Sequence, residues 1–177
     1  MKKTISIILM FVTFLIIYFL QSNFFNWFTI AGVKPNLFII LTLFISLFAG
    51  AKIGTAYGIF FGIFLDVVIG RSIGISSIMY ALVGAIGGYF DKNFSKDSRM
   101  TIIFMVIGTT LLYEIGNYVI SIMRLSIQIE VLSFVRVLLI EIIYNVIITI
   151  ILYPLIQKVG YKVEDIFKGQ KILTRYF

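Results

Sequence analysis

Long apolar runs separated by short polar breaks set the pattern of this chain, at residues 4–20, 35–51, 53–69, 73–90, 100–123 and 134–157. Crossing the ~30 Å hydrocarbon core of a bilayer takes about 20 mostly apolar residues in a helix, and each run is of that order. The pattern predicts an all-α, polytopic integral membrane protein of six transmembrane helices. The first run follows Met1-Lys2-Lys3, a signal-like start, but no small-x-small cleavage site comes after it, so it is expected to stay as a span. Residues 21–34 then place Phe24, Phe25, Trp27 and Phe28 among asparagines, which suits an aromatic belt at headgroup level. Pro35 opens the second run at a first helical position, where a missing N–H has no partner to lose. Only Lys52 separates runs two and three, and only Gly70, Arg71 and Ser72 separate runs three and four. Runs two to four are therefore expected to form tight antiparallel hairpins. Pro154, near the end of the sixth run, predicts a kink or fray. The expected division is a six-span domain over 1–157 and a basic cytoplasmic tail over 158–177. In that tail Val159, Val163, Ile166, Phe167 and Leu173 approximate one helical face suited to an anionic leaflet, whereas Gly160 and Gly169 favour partial disorder.

The third run carries the strongest internal signal. Gly54, Gly58, Gly62, Asp66, Gly70 and Gly74 fall four residues apart, which on a helix makes one slowly drifting stripe. Such a stripe lets another backbone approach closely, as in small-xxx-small packing. The fourth run has matching rows, Ser77, Ala81 and Ala85 on one and Gly84 and Gly88 on another. Asp66 lies in the stripe, and an intramembrane carboxylate needs a partner. Two readings are open: a close-packed helix with a capped or snorkelling acid near its end, or an assembly surface organised around Asp66.

Composition narrows the function classes. Charged residues make up only 13% of the chain, against about 25% in soluble domains. The absence of Cys and His removes thiolate nucleophiles, the commonest transition-metal ligands and the usual neutral-pH acid–base group. No catalytic spacing, metal set or cofactor motif is present. The net charge of +7 is a topology signal. With six spans, eleven of the 15 Lys and Arg residues (Lys2, Lys3, Lys52, Lys92, Lys96, Arg99, Lys158, Lys162, Lys168, Lys171 and Arg175) share one side. Lys34, Arg71 and Arg124 lie on the other, and Arg136 falls within span six. The positive-inside rule then places both termini in the cytoplasm. Nucleic acid is not an expected partner.

The remaining polar signal lies in spans five and six. Thr110, Glu114, Asn117 and Ser121 share one face, and Glu141, Asn145 and Thr149 share another. These rows are expected to face each other, as interhelical hydrogen-bond glue by preference or as a polar cavity. Glu141 is expected about 10 Å and Glu114 about 14 Å below the outer edge. Arg136 stands about 140° from Glu141 around the helix, so it is expected to serve Asp66, Glu114 or Glu130 instead.

Taken together, Pro35-Asn36-Leu37 heading an apolar span, the glycine ladder, Leu65-Asp66-Val67-Val68-Ile69-Gly70-Arg71-Ser72-Ile73-Gly74 and Leu82-Val83-Gly84 resemble the rod-shape-determining MreD family. Asn36 stands where that family often has Asp, and Ile69 where it often has a small residue. The resemblance implies a non-enzymatic scaffold of the bacterial cytoplasmic membrane, active in rod-shape determination and lateral peptidoglycan synthesis. It implies a bitopic MreC-like partner docking near Asp66–Gly74. It also implies an MreB-like filament, a RodA-type glycosyltransferase and a class B penicillin-binding protein, directly or indirectly, with anionic lipid at the cytoplasmic face. The competing architecture is the substrate-binding subunit of an energy-coupling-factor vitamin transporter. Such subunits present small residues on their first helix, and residues 4–20 here contain no Ala or Gly.

Overall fold

The computed structural model describes residues 2–69, 74–125 and 130–169, with no side-chain description for residues 2, 124 and 125. The helices are α1 (Lys2–Phe19), a π-helical turn (Leu20–Phe24), the short α2 (Phe25–Trp27), α3 (Leu37–Ala49), α4 (Ala51–Ile69), α5 (Ile75–Asn93), α6 (Arg99–Leu125) and α7 (Val131–Phe167). Among the described residues no strand forms, only an isolated bridge between Ile30 and Val33. Among the described residues four segments are long and apolar enough to cross a membrane: Lys3–Trp27, Ala51–Ile69, Arg99–Met123 and Val131–Phe167. The helix α3 is shorter, and α5 carries serines, glycines, Asp91 and Lys92 among its apolar residues. Outward faces remain apolar: Phe19, Phe60, Phe104 and Ile151 are all more than 60% exposed, a surface that lipid covers.

α3 is the axis of the bundle. Every one of its residues except Leu41 is buried, and it meets α1, α4, α5, α6 and α7. It stops at Gly50, whose φ of 97° suits a residue without Cβ and whose N–H returns to the Ser46 carbonyl. The chain reverses there directly into α4.

The glycine stripe explains how α4 lies. A Cβ on Gly58 would stand 2.3 Å from the Tyr80 carbonyl oxygen, and one on Gly62 would stand 2.4 Å from the Ser77 Cα. From the opposite side, Cβ atoms on Gly84 and Gly88 would strike the backbones of Gly54 and Ala51. α4 and α5 thus pack backbone to backbone, as the small-residue rows predict. Ser46 Oγ adds a bond to the Gly84 carbonyl, and Ser77 Oγ one to the Ile59 carbonyl at 3.1 Å. The stripe is filled by the protein's own helices and offers no open groove at Gly54, Gly58 or Gly62. α1 joins through Phe14, stacked on Phe61 at 3.9 Å, and through Tyr57 Oη donating to the Met10 carbonyl.

The helix α7, which holds the sixth apolar run, extends well beyond it. It passes through Pro154 and Gly160 without a break and ends at Phe167. Gly160 is the reason: it is buried against Phe48, where a Cβ would come within 2.4 Å of the ring. Residues 158–167 therefore pack back on the end of α3, and Val163 and Phe167 join the core. Lys168 is likewise engaged: its Nζ donates to the Leu47 carbonyl at 2.8 Å and to Asp91 at 2.6 Å. Lys96 bridges Asp91 at 3.0 Å and Glu164 at 2.5 Å. Two cations thus meet the C-terminal end of α3, where the helix dipole favours them.

This cluster sets an acid limit. Burial alone would raise the Asp91 carboxyl, but hydrogen bonds and charge from Lys168 and Lys96 outweigh it and hold it below the usual carboxylate range. A carboxylate depressed by folding stabilises the protein above its unfolded value and loses that contribution as pH falls through the folded one. Asp91→Asn should cost about 1 kcal/mol at neutral pH, because partial exposure screens the pairs. It should also flatten the wild-type loss of stability on the acid side, as pH falls through the depressed Asp91 range. Melting in mild detergent between pH 3 and 7 checks this, and an unchanged acid limb in the variant would rule the cluster out.

Candidate functional site, a polar cavity at the head of α3

At the other end of α3, three amides form a node. Asn36 caps the helix: its Oδ1 accepts from Ile39 N at 3.4 Å and from Tyr80 Oη at 3.2 Å. Its own backbone N–H donates to Asn145 Oδ1 at 2.8 Å. Gln21 Nε2 donates to the Pro35 carbonyl at 2.6 Å, while Gln21 Oε1 accepts from Leu37 N at 3.3 Å. Asn145, fully buried, passes its Nδ2 donor to Thr110 Oγ1 at 3.1 Å. Elements distant in sequence (the π-helical turn after α1, the head of α3, α5, α6 and α7) are therefore locked together by side-chain amides.

Beside this node lies a cavity of about 290 Å³. Glu114 and Asn117 of α6 and Glu141 of α7 line it, together with Gln21, Lys34, Pro35, Asn36, Ser76, Tyr80 and Tyr113. Glu141 is only 7% exposed and lies against Glu114. Its Oε1 is buried with no hydrogen-bond partner among the described residues. Asn145 meets Thr110, and Glu114, Asn117 and Glu141 line one cavity. What results is both glue, through Asn145 and Thr110, and a cavity, through the two glutamates.

Other candidate residues are not at this cavity. Asp66 is 1% exposed, and its carboxylate accepts from Gly74 N at 2.7 Å and Ser76 N at 3.3 Å. It caps the first turn of α5, and Gly74, at φ 103°, makes the turn into it. Among the described residues its need for a partner is met by backbone donors. Arg136 is exposed, lines no part of the cavity, and forms no ion pair among the described residues. The expectation that it neutralises a carboxylate is corrected on geometry: Asp66 is served by N–H groups, and Glu130 accepts from Ser133 Oγ at 3.0 Å. Gly70 and Arg71 lie outside the described residues, as does the side chain of Arg124. Gln21, Tyr80 and Tyr113 belong to the site but have no sequence signature. Gln21 alone gave a hint, as an amide ending an apolar run before a Pro-Asn helix start.

No group of His, Cys, Asp and Glu suited to a metal ion occurs among the described residues. The family model described as rod shape-determining protein MreD matches residues 1–163 of the chain. The chain belongs to the MreD family. No curated protein and no solved structure matches it significantly. Membership assigns it to rod-shape determination and to the bacterial membrane. The MreD match takes in the glycine-packed hairpin and the whole polar cavity, whereas Glu164 and Lys168 of the ion cluster lie beyond its end.

Proposed function

We propose that this MreD-family protein is a non-enzymatic, multi-pass scaffold of the cytoplasmic membrane, with six spans and both termini in the cytoplasm. It would bind an MreC-like bitopic protein within the elongation complex and so support lateral peptidoglycan synthesis. An MreB-like filament, a RodA-type glycosyltransferase and a class B penicillin-binding protein would join directly or through that partner. The family match over residues 1–163 carries this reading. A bundle whose small-residue stripe is used internally supports it, because the scaffold then presents a preformed surface. Anionic lipid would meet exposed Lys92, Lys158 and Lys162, since Lys96 and Lys168 are engaged in ion pairs.

A second reading is favoured by the cavity alone: a substrate-binding subunit of an energy-coupling-factor vitamin transporter, holding a solute near Glu114 and Glu141. A mild-detergent pull-down of the tagged protein from host membranes separates the two. Recovery of the MreC-like protein is expected. Recovery of paired ATPases with a membrane coupling subunit would replace the scaffold reading. Because Asp66 is buried, Asp66→Asn should leave partner recovery unchanged per folded molecule.

A further inference from the structure

We propose that the cavity at the head of α3 binds a primary ammonium group, presented by the phosphoethanolamine headgroup of a membrane lipid. Glu141 is more than nine-tenths buried, lines the cavity, and has an oxygen with no partner among the described residues. Buried carboxylate oxygens are satisfied by donors or cations. The backbone donors at the head of α3 are taken: Asn36 N goes to Asn145, Leu37 N to Gln21 and Ile39 N to Asn36. The side chains of Glu114, Asn145 and Asn36 neighbour Glu141, yet none of them reaches its Oε1. The ion pairs among the described residues all lie at the opposite end of α3.

Size and setting select the cation. The cavity of about 290 Å³ exceeds the ~30 Å³ share of one water several-fold and stands near the lower end of small-ligand pockets. An ammonium carries three N–H donors and no acceptor, which suits the carboxylate oxygen of Glu141 and the amide oxygen of Asn117. Lys34, exposed at the lining and bonded to Asn26, supplies positive charge beside them. A headgroup that leads with its ammonium and trails a phosphate matches that order of charge. The site also lies where α3 begins and α4 ends, next to the aromatic residues 24–28. Those are positions suited to the headgroup layer.

The test uses the full-length purified protein. Native mass spectrometry would compare retention of phosphatidylethanolamine with phosphatidylcholine of the same acyl chains, since a trimethylammonium has the charge but no N–H. Parallel melting curves would compare free ethanolamine with choline. Expected is about tenfold or greater preference for phosphatidylethanolamine, the worth of one charge-assisted hydrogen bond. Glu141→Gln should lose that preference, and Arg136→Gln should keep it. Stabilisation by ethanolamine over choline without lipid preference would uphold the ammonium site and overturn the lipid as its source. Equal behaviour of primary and quaternary amines in the wild type, or a preference that survives Glu141→Gln, would overturn the site. The wild-type comparison decides even where the variant does not fold.

Discussion

Gly58→Leu should lower the melting temperature in mild detergent by about 10 °C, corresponding to about 3 kcal/mol in a chain of this size. Its new Cβ would meet the Tyr80 carbonyl at 2.3 Å, the Tyr80 carbonyl carbon at 2.5 Å and the Ala81 nitrogen at 2.8 Å. All three are backbone atoms of α5, so no side-chain rotation relieves the contact and the two helices must separate. Separation would also pull Ser77 from the Ile59 carbonyl and Ser46 from the Gly84 carbonyl, so the loss should exceed that of one overpacked side chain. Gly108 provides the control, because it is exposed and a Cβ there meets nothing within 4 Å. Gly108→Leu should be neutral or slightly stabilising, since leucine is the better helix former. Equal melting of the two variants would show that the α4–α5 seam does not hold the fold.

The second large effect is at Asp66. Asp66→Ala should cost about 3 kcal/mol, as two hydrogen bonds to a buried charged acceptor are lost and their N–H donors are stranded. Asp66→Asn keeps one acceptor oxygen and should cost about 1 kcal/mol, in the range of a helix cap. Amide hydrogen exchange should speed up first at Gly74 and Ser76 in both variants, ahead of global unfolding. If alanine and asparagine prove equally mild, the carboxylate is not the cap the geometry describes.

Much of this architecture is legible in the sequence, for physical reasons. Helices appear because apolar runs in a membrane protein must satisfy their backbones internally. The α4–α5 contact appears because only small residues at four-residue spacing allow backbones to meet. The Glu114 and Glu141 faces appear because intramembrane polar residues turn inward. What stayed hidden was set by tertiary partners. Gly160 looks like a helix breaker until Phe48 fills the space beside it. Lys168 looks like a leaflet contact until the Leu47 carbonyl and Asp91 claim it. Asp66 leaves two readings open in the sequence, and its bonds to the N–H groups of Gly74 and Ser76 are not visible there. Tyr80 and Tyr113 are indistinguishable from core aromatics without knowing that Asn36 comes to meet Tyr80 and that Tyr113 packs on Tyr80.

The shortness of α3 has an electrical consequence. Its 13 residues rise about 20 Å, and polar groups begin at once beyond either end: the glutamate-lined cavity at the head, two lysines at the tail. In a bilayer whose hydrocarbon is ~30 Å thick, the low-dielectric layer along this axis is thinner than in the surrounding lipid. A membrane potential dropped over that shorter path gives a field about half again as steep. Set across a bilayer in the proposed six-span arrangement, α3 would hold Glu141 at one limit of that steeper field and the Lys96–Asp91–Lys168–Glu164 ion cluster at the other.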